Sequence, residues 1–445
     1  MKRDSKLIYR KVLYIGLPII LGSIAQNVIA FTDTAFLGRV GEISLGASAI
    51  GGLFYLTFVM LAFGFGIGAQ IIMARRFGEG KFGEIGNTWS HALLFLTGLA
   101  LVVFLFFEGW APTLMNHLLD SDAVRDESIR YLKVRSFGLF FAYINITYRA
   151  LYIAIGRTMI ITWTTVVMAV VNIFLDYVLI FGRMGFPEMG IEGAALASVA
   201  AELSTTLFVT LYSLKIDSFR RFGLIQFGKV SYLRFKAIFK VASPMMLTNF
   251  FSLFVWFIFF MIIEKLGESE LAISQLVRSV YIILLLPVWG FSSATNSMVS
   301  YYIGRNRRER VGRVIKHIML ITAASVLVMV LLVQVMPYQV LRIYTDQEHL
   351  ILGALPVLRV ISGAAAFLGI AFVVFNGVSG TGKTMVALAI ELVALSIYLA
   401  FAWSMANLFN GGVAHVWAAE YVYALLLTLI SGIYLARGNW RKARI

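Results

Sequence analysis

The sequence contains no cysteine, only five histidines and seven prolines, and charged residues fill just 14% of its 445 positions. Without cysteine there is no disulfide, no thiol nucleophile and no cysteine-ligated zinc. So small a share of charge cannot cover a chain of this length in water. What is present instead is apolar: 60% of residues are hydrophobic and 14% aromatic, with a mean hydropathy of +0.85. About twelve runs reach the roughly 20 apolar residues that cross a bilayer. They lie near 12–37, 44–73, 88–109, 130–155, 158–182 and 190–214, then near 236–263, 270–299, 314–336, 352–379, 384–408 and 413–435. The first run is too long, and too closely followed by Asp33 and Arg39, to read as a cleaved signal peptide.

The bases are distributed unevenly. Lys2, Arg3, Lys6, Arg10 and Lys11 open the chain, and every second loop after it is basic: Arg75, Arg76 and Lys81; Arg157; Lys215 to Lys236; Arg305 to Lys316; and Lys383. The tail adds Arg437, Arg441, Lys442 and Arg444, whereas the alternate loops carry Asp120, Asp122, Asp126 and Glu127, or Glu264, Glu268 and Glu270. Cytoplasmic loops retain Lys and Arg, so both termini are expected in the cytoplasm of a cell with an inner membrane, and the span number is even. The net charge of +15 then belongs to headgroup contacts, and no nucleic acid partner is expected.

Shifted by 226 residues, the chain matches itself without a gap. Pro18 falls on Pro244, Gly41 and Glu42 on Gly267 and Glu268, Gly64 and Phe65 on Gly290 and Phe291, His91 on His317, and Gly156 to Met159 on Gly382 to Met385. Six spans per repeat is even, so both repeats enter the membrane in the same direction, related by an axis along its normal. The expected fold is all-α: twelve transmembrane helices in a V-shaped pair of six-helix lobes, residues 1–220 and 221–445, joined by the basic stretch 215–236. Duplication of this kind marks secondary transporters.

One motif points elsewhere. Gly377 to Thr384 satisfies the phosphate-binding P-loop pattern letter for letter. That pattern needs a strand before it, and here an apolar span precedes it. A tight turn between two helices, with Lys383 on the cytoplasmic side, is the expected structure, so an ATPase is a remote alternative and no enzymatic activity or cofactor is expected.

Ionisable residues within the spans are more telling, because a charge at mid-membrane costs at least ~2.5 kcal/mol. Asp33 stands about a turn before the end of the first span and Asp176 a similar distance before the end of the fifth. Asn172 precedes Asp176 by four residues and shares its face. Tyr131 opens the fourth span, and Ser198 lies about two turns into the sixth. These five side chains are expected to converge on one polar pocket in the first lobe, where two carboxyls can hold a proton, or a Na⁺ at Asp33, Asn172 and Asp176. Gln26, Asn27, Gln275 and Arg278 are candidates for a substrate cavity. Pro18 removes a backbone hydrogen bond in the first span and is a candidate hinge. Glu202, Arg359 and Glu391 read as residues satisfied by neighbouring helices. His91 and His317 read as structural.

With these residues in place, the chain resembles the multidrug and toxic compound extrusion (MATE) family over nearly its whole length. The resemblance rests on the doubled six-span plan, on Leu17 and Pro18, on the run from Asp33 to Arg39, on the run from Asn172 to Tyr177, and on Gly193, Ala194, Ala195 and Ser198. The Asn and Asp of the fifth span are similar to the DinF-like branch. The resemblance implies that Asp33, Asp176, Asn172, Tyr131 and Ser198 form the cation site of the amino-terminal lobe. The other bacterial branch keeps acids in the seventh and tenth spans, where this chain has Asn249 and Asn376, so no coupling is expected in the carboxy-terminal lobe. The implied function is efflux of amphipathic, cationic organic compounds by alternating access, in exchange for H⁺ or Na⁺, by a monomer in the lipid bilayer. A lipid-linked oligosaccharide flippase of the same superfamily is the alternative, although few buried bases (Arg135, Arg149, Arg278, Arg359) are available to meet a pyrophosphate.

Overall fold

The computed structural model describes residues 2–119, 121–215, 221–224, 230–409 and 411–442. Asp120, Arg220, Lys229 and Arg444, used above for the charge asymmetry, lie outside them. Among the described residues all regular structure is helical. The first repeat holds α1 (Lys2–Val40), α2 (Glu42–Glu79), α3 (Phe82–Gly109), α4 (Ala111–Leu118), α5 (Asp122–Ser136), α6 (Gly138–Ala154), α7 (Met159–Ile180) and α8 (Gly190–Lys215). The second holds α9 (Tyr232–Glu264), α10 (Glu268–Gly304), α11 (Val311–Val335), α12 (Pro337–Arg342), α13 (Glu348–Gly380), α14 (Thr384–Asn407), α15 (Val413–Trp417) and α16 (Ala419–Arg437).

Among the described residues eleven helices are long and apolar enough to span, counting the run Val413–Arg437 as one, and the pair α5 and α6, taken as one span, makes a twelfth. That fourth span is bent by 50° at the junction, which the sequence, lacking a proline there, did not announce. It also starts earlier than the apolar run, because the polar turn at Asp122 is capped by the Ser121 hydroxyl. Large apolar side chains stand exposed along the spans, such as Val102 at 63% and Leu332 at 65%. In lipid such a surface costs nothing, since the solvent is itself hydrocarbon.

The chain divides into two compact units: Leu21–Met246, and Met1–Ile20 with Leu247–Ile445. The cuts at 20/21 and 246/247 are themselves 226 residues apart, so the division respects the repeat while assigning the opening of each repeat to the other repeat's unit. Within the unit Leu21–Met246, Gly64 lies against the backbone of Met245 and Met246, and Gly68 against Ala242, leaving no room for a Cβ at either. Glycine at both positions permits this close helix contact. In the other unit a large core gathers residues from α9 to α16, among them Phe259, Leu284, Ala365, Tyr398 and Trp417.

The P-loop pattern is resolved by the same packing. Gly377 to Gly380 are the last turn of α13, and Gly382, at φ 87°, turns the chain into α14. Gly380 is pressed against the Asn296 carbonyl at 2.8 Å from where a Cβ would stand, so its glycine serves helix contact and not a phosphate. His91 is a structural residue too: its Nδ1 lies 2.7 Å from the Asn87 carbonyl and its Nε2 accepts from the Ser231 N–H at 3.1 Å.

Candidate functional site

Helices α1, α5, α7 and α8 each bring one or two of the expected polar residues to the unit Leu21–Met246. Helix α7 packs along α8, and α5 packs against α2 and α8. From α7 come Asn172 and Asp176, exposed to only 1% and 0%. The Asp33 carboxyl of α1 lies within hydrogen-bonding reach of the Asp176 carboxyl. Asp33 Oδ1, both Asp176 oxygens and both polar atoms of Asn172 are buried with no donor or acceptor satisfied. Two carboxylates cannot bond to each other, so the contact becomes a hydrogen bond only when one of them carries a proton.

An apolar cluster closes one end of this pair. Leu37 and Ile180, each one turn beyond its aspartate, meet Ala47, Ile191 and Ala194, with Val124 and Tyr131 packed alongside. Tyr131 thus stands beside the carboxyls, in the field of both Asp33 and Arg135. Ser198 is half-buried on α8, one turn before Glu202 on the same face.

Arg135 and Glu202 are the residues whose importance sequence reasoning missed. They form a buried two-pronged ion pair: Nη1 donates to Oε2 at 2.8 Å and Nη2 to Oε1 at 2.5 Å. The Tyr55 ring lies under the guanidinium, 3.9 Å from its centroid, and the Tyr55 hydroxyl is 3.5 Å from Glu202 Oε1. Gly138 follows the bend in the fourth span because a Cβ there would collide with both charged groups. The positive charge of Arg135 also reaches Asp33.

The remaining candidates are dispersed. Gln26 is exposed on α1, and Asn27, half-buried, donates to the Ser23 carbonyl one turn back at 2.9 Å. In the other unit Gln275 is exposed, while Arg278 lies 5.5 Å over the Phe260 ring with a buried Nε that bonds nothing. Pro18 is buried inside an unbroken α1. Among the described residues no three His, Asp or Glu side chains gather as a metal site.

Comparison with known proteins follows the same duplication. The MatE family model matches residues 18–178 and 244–404, two segments offset by the repeat length. The probable multidrug resistance protein NorM of Neisseria meningitidis is 29% identical over 299 residues, 66% of this chain and 65% of that protein, so the chain matches a little under two-thirds of its length. The Thermotoga maritima protein of the same name is 24% identical over 453 residues, covering 100% of this chain and 96% of its own. Among solved structures, a MATE in the straight conformation superposes with a TM-score of 0.90 at 20% identity, covering 98% of this chain and 97% of that one. A MOP superfamily transporter from Pyrococcus furiosus gives 0.89 at 19%, covering 96% of both. At these identities the superpositions speak for the fold.

Proposed function

This chain belongs to the MatE family, and we propose that it is a secondary transporter of the inner membrane, both termini cytoplasmic, that exports amphipathic, cationic organic compounds in exchange for inward H⁺. Na⁺ is the alternative coupling ion. The observation that carries the reading is the facing pair of half-buried Asp33 and buried Asp176, near buried Asn172, with no hydrogen-bond donor on Asp33 Oδ1 or on either Asp176 oxygen. One proton turns the contact from repulsion into a hydrogen bond, so its arrival draws α1 toward α7 and its loss drives them apart. Pro18, which has no backbone N–H to donate within the continuous α1, is the place where that helix would yield. For Na⁺ the same carboxyls, the Asn172 amide and the Tyr131 and Ser198 hydroxyls would supply the oxygens. The name of the NorM relatives supports a multidrug substrate range. Gln26, Asn27, Gln275 and Arg278 remain the proposed polar contacts of a substrate path, and the monomer the proposed working unit.

Efflux of ethidium or rhodamine from proteoliposomes under an imposed pH or Na⁺ gradient tests this. Asp33→Asn and Asp176→Asn should each abolish gradient-driven efflux, and the double variant should be no worse than either, because the two carboxyls share one task. Efflux that survives both substitutions would place coupling elsewhere, and the gradient that drives the wild type names the ion.

A further inference from the structure

The carboxy-terminal unit repeats the position of the aspartate pair with different chemistry. Shifted by 226 residues, Asp33 becomes Phe259, Asn172 becomes Tyr398, Asp176 becomes Ala402 and Tyr55 becomes Tyr281. An acid is nonetheless present, because Ala194, which lines the apolar end of the first site, becomes Glu420. Glu420 is 3% exposed; Tyr281 donates to its Oε2 at 2.9 Å and Tyr398 to its Oε1 at 3.2 Å, and the Trp256 indole N–H faces it as well. A second carboxylate adjoins it. Glu391, 2% exposed, accepts from Ser252 and Tyr423, each at 2.7 Å and both at Oε1. Its Oε2 is buried and bare. The Tyr398 and Tyr423 rings, 5.8 Å apart, connect the two carboxylates, and Tyr423 lies in the field of both.

The surrounding groups are nearly all neutral. Helix α9 offers Trp256 and Ser252, α10 Tyr281, α14 Tyr398, α16 Tyr423, and α13 the Phe372 ring against Tyr423. Arg278 lies over the Phe260 ring, and among the described residues no salt bridge reaches either acid. Two uncompensated negative charges in an apolar core have one inexpensive remedy, which is to take up protons. A hard cation fits less well, since the hydroxyls aim their hydrogens at the carboxylates and few free oxygens remain for a coordination shell.

We propose that Glu391 and Glu420 form a proton-binding site in the carboxy-terminal unit, with Oε2 of Glu391 as the atom that receives the proton. The step is the addition of H⁺ from water to a carboxylate, giving a neutral acid whose loss of charge needs no counter-ion. It stands independently of the role assigned to Asp33 and Asp176. Glutamates exposed at loops titrate too, so the measurement is a difference between variants.

The test is infrared difference spectroscopy between acid and alkaline pH on the full-length Asp33→Asn/Asp176→Asn protein in lipid, with the amino-terminal pair silenced. A carboxylic acid carbonyl band should appear on acidification and be lost when Glu391→Gln and Glu420→Gln are added. A band that persists in that variant, or no band from buried acids at any pH, overturns the proposal. Ser252→Ala and Tyr423→Phe keep both acids and remove one donor each from Glu391, and each should displace the titration midpoint, by about one pH unit. Midpoints that do not move also overturn it. Because the experiment runs without the aspartate pair, failure of the antiport reading leaves its outcome intact.

Discussion

Glu202 in one unit and Glu420 in the other are both buried in spans, and each is approached by one member of the repeat-related pair Tyr55 and Tyr281. Glu202 is held by a guanidinium through two short bonds, whereas Glu420 is held by two phenols. The first arrangement fixes a charge permanently, since arginine does not release its proton. The second leaves the charge free to be cancelled. The same tyrosine position therefore meets an acid from a different position in each unit, and a buried carboxylate must be read together with its donors.

The sharpest way to break this contrast is to remove the guanidinium. Arg135→Gln should cost about 3 to 5 kcal/mol, because Glu202 is left as an unpaired charge in the core. Thermal unfolding in detergent would register it, and Arg135→Met with Glu202→Met should recover most of the loss. A double variant as unstable as the single would mean that the pair's charge is not what matters. Gly138→Ala should cost about 1 to 3 kcal/mol by pushing on the same ion pair. Its repeat mate is already alanine, and Ala364→Gly should cost only about 0.5 to 1 kcal/mol. The tyrosine pair is subtler: Tyr281→Phe is expected to lose about 1 kcal/mol as a direct donor to a charged group, against a few tenths, roughly, for Tyr55→Phe, whose 3.5 Å contact is redundant with Arg135. Equal losses at both tyrosines would erase the distinction between the two acids.

Much of this was legible before any coordinates. Hydrophobic runs of span length and a gapless offset gave the helices and their duplication, because in lipid the backbone has to form helices wherever the chain is apolar. Asp33, Asn172 and Asp176 stood out because a charge inside such a run is rare and helical spacing fixes its face. The partner of Arg135 was not legible: Glu202 lies 67 residues away, and only the packing of α5 on α8 joins them. Glu420 escaped notice because it stands near the start of its run, where an acid reads as a span-end residue in contact with water. Glu391 was seen but read as satisfied, which holds for Oε1 and fails for Oε2.

The exchange of opening segments has a consequence for synthesis. Met1–Ile20 is made well before the residues with which it forms a compact unit, which begin at Leu247. At ~5 to 20 residues per second the interval is roughly 10 to 45 s, during which the insertion machinery must tolerate an unfinished first helix. Neither repeat, expressed alone, carries its full complement of packing partners. The chain should therefore mature only after its second half has entered the membrane, and prematurely ended chains should be recognised as faulty and degraded.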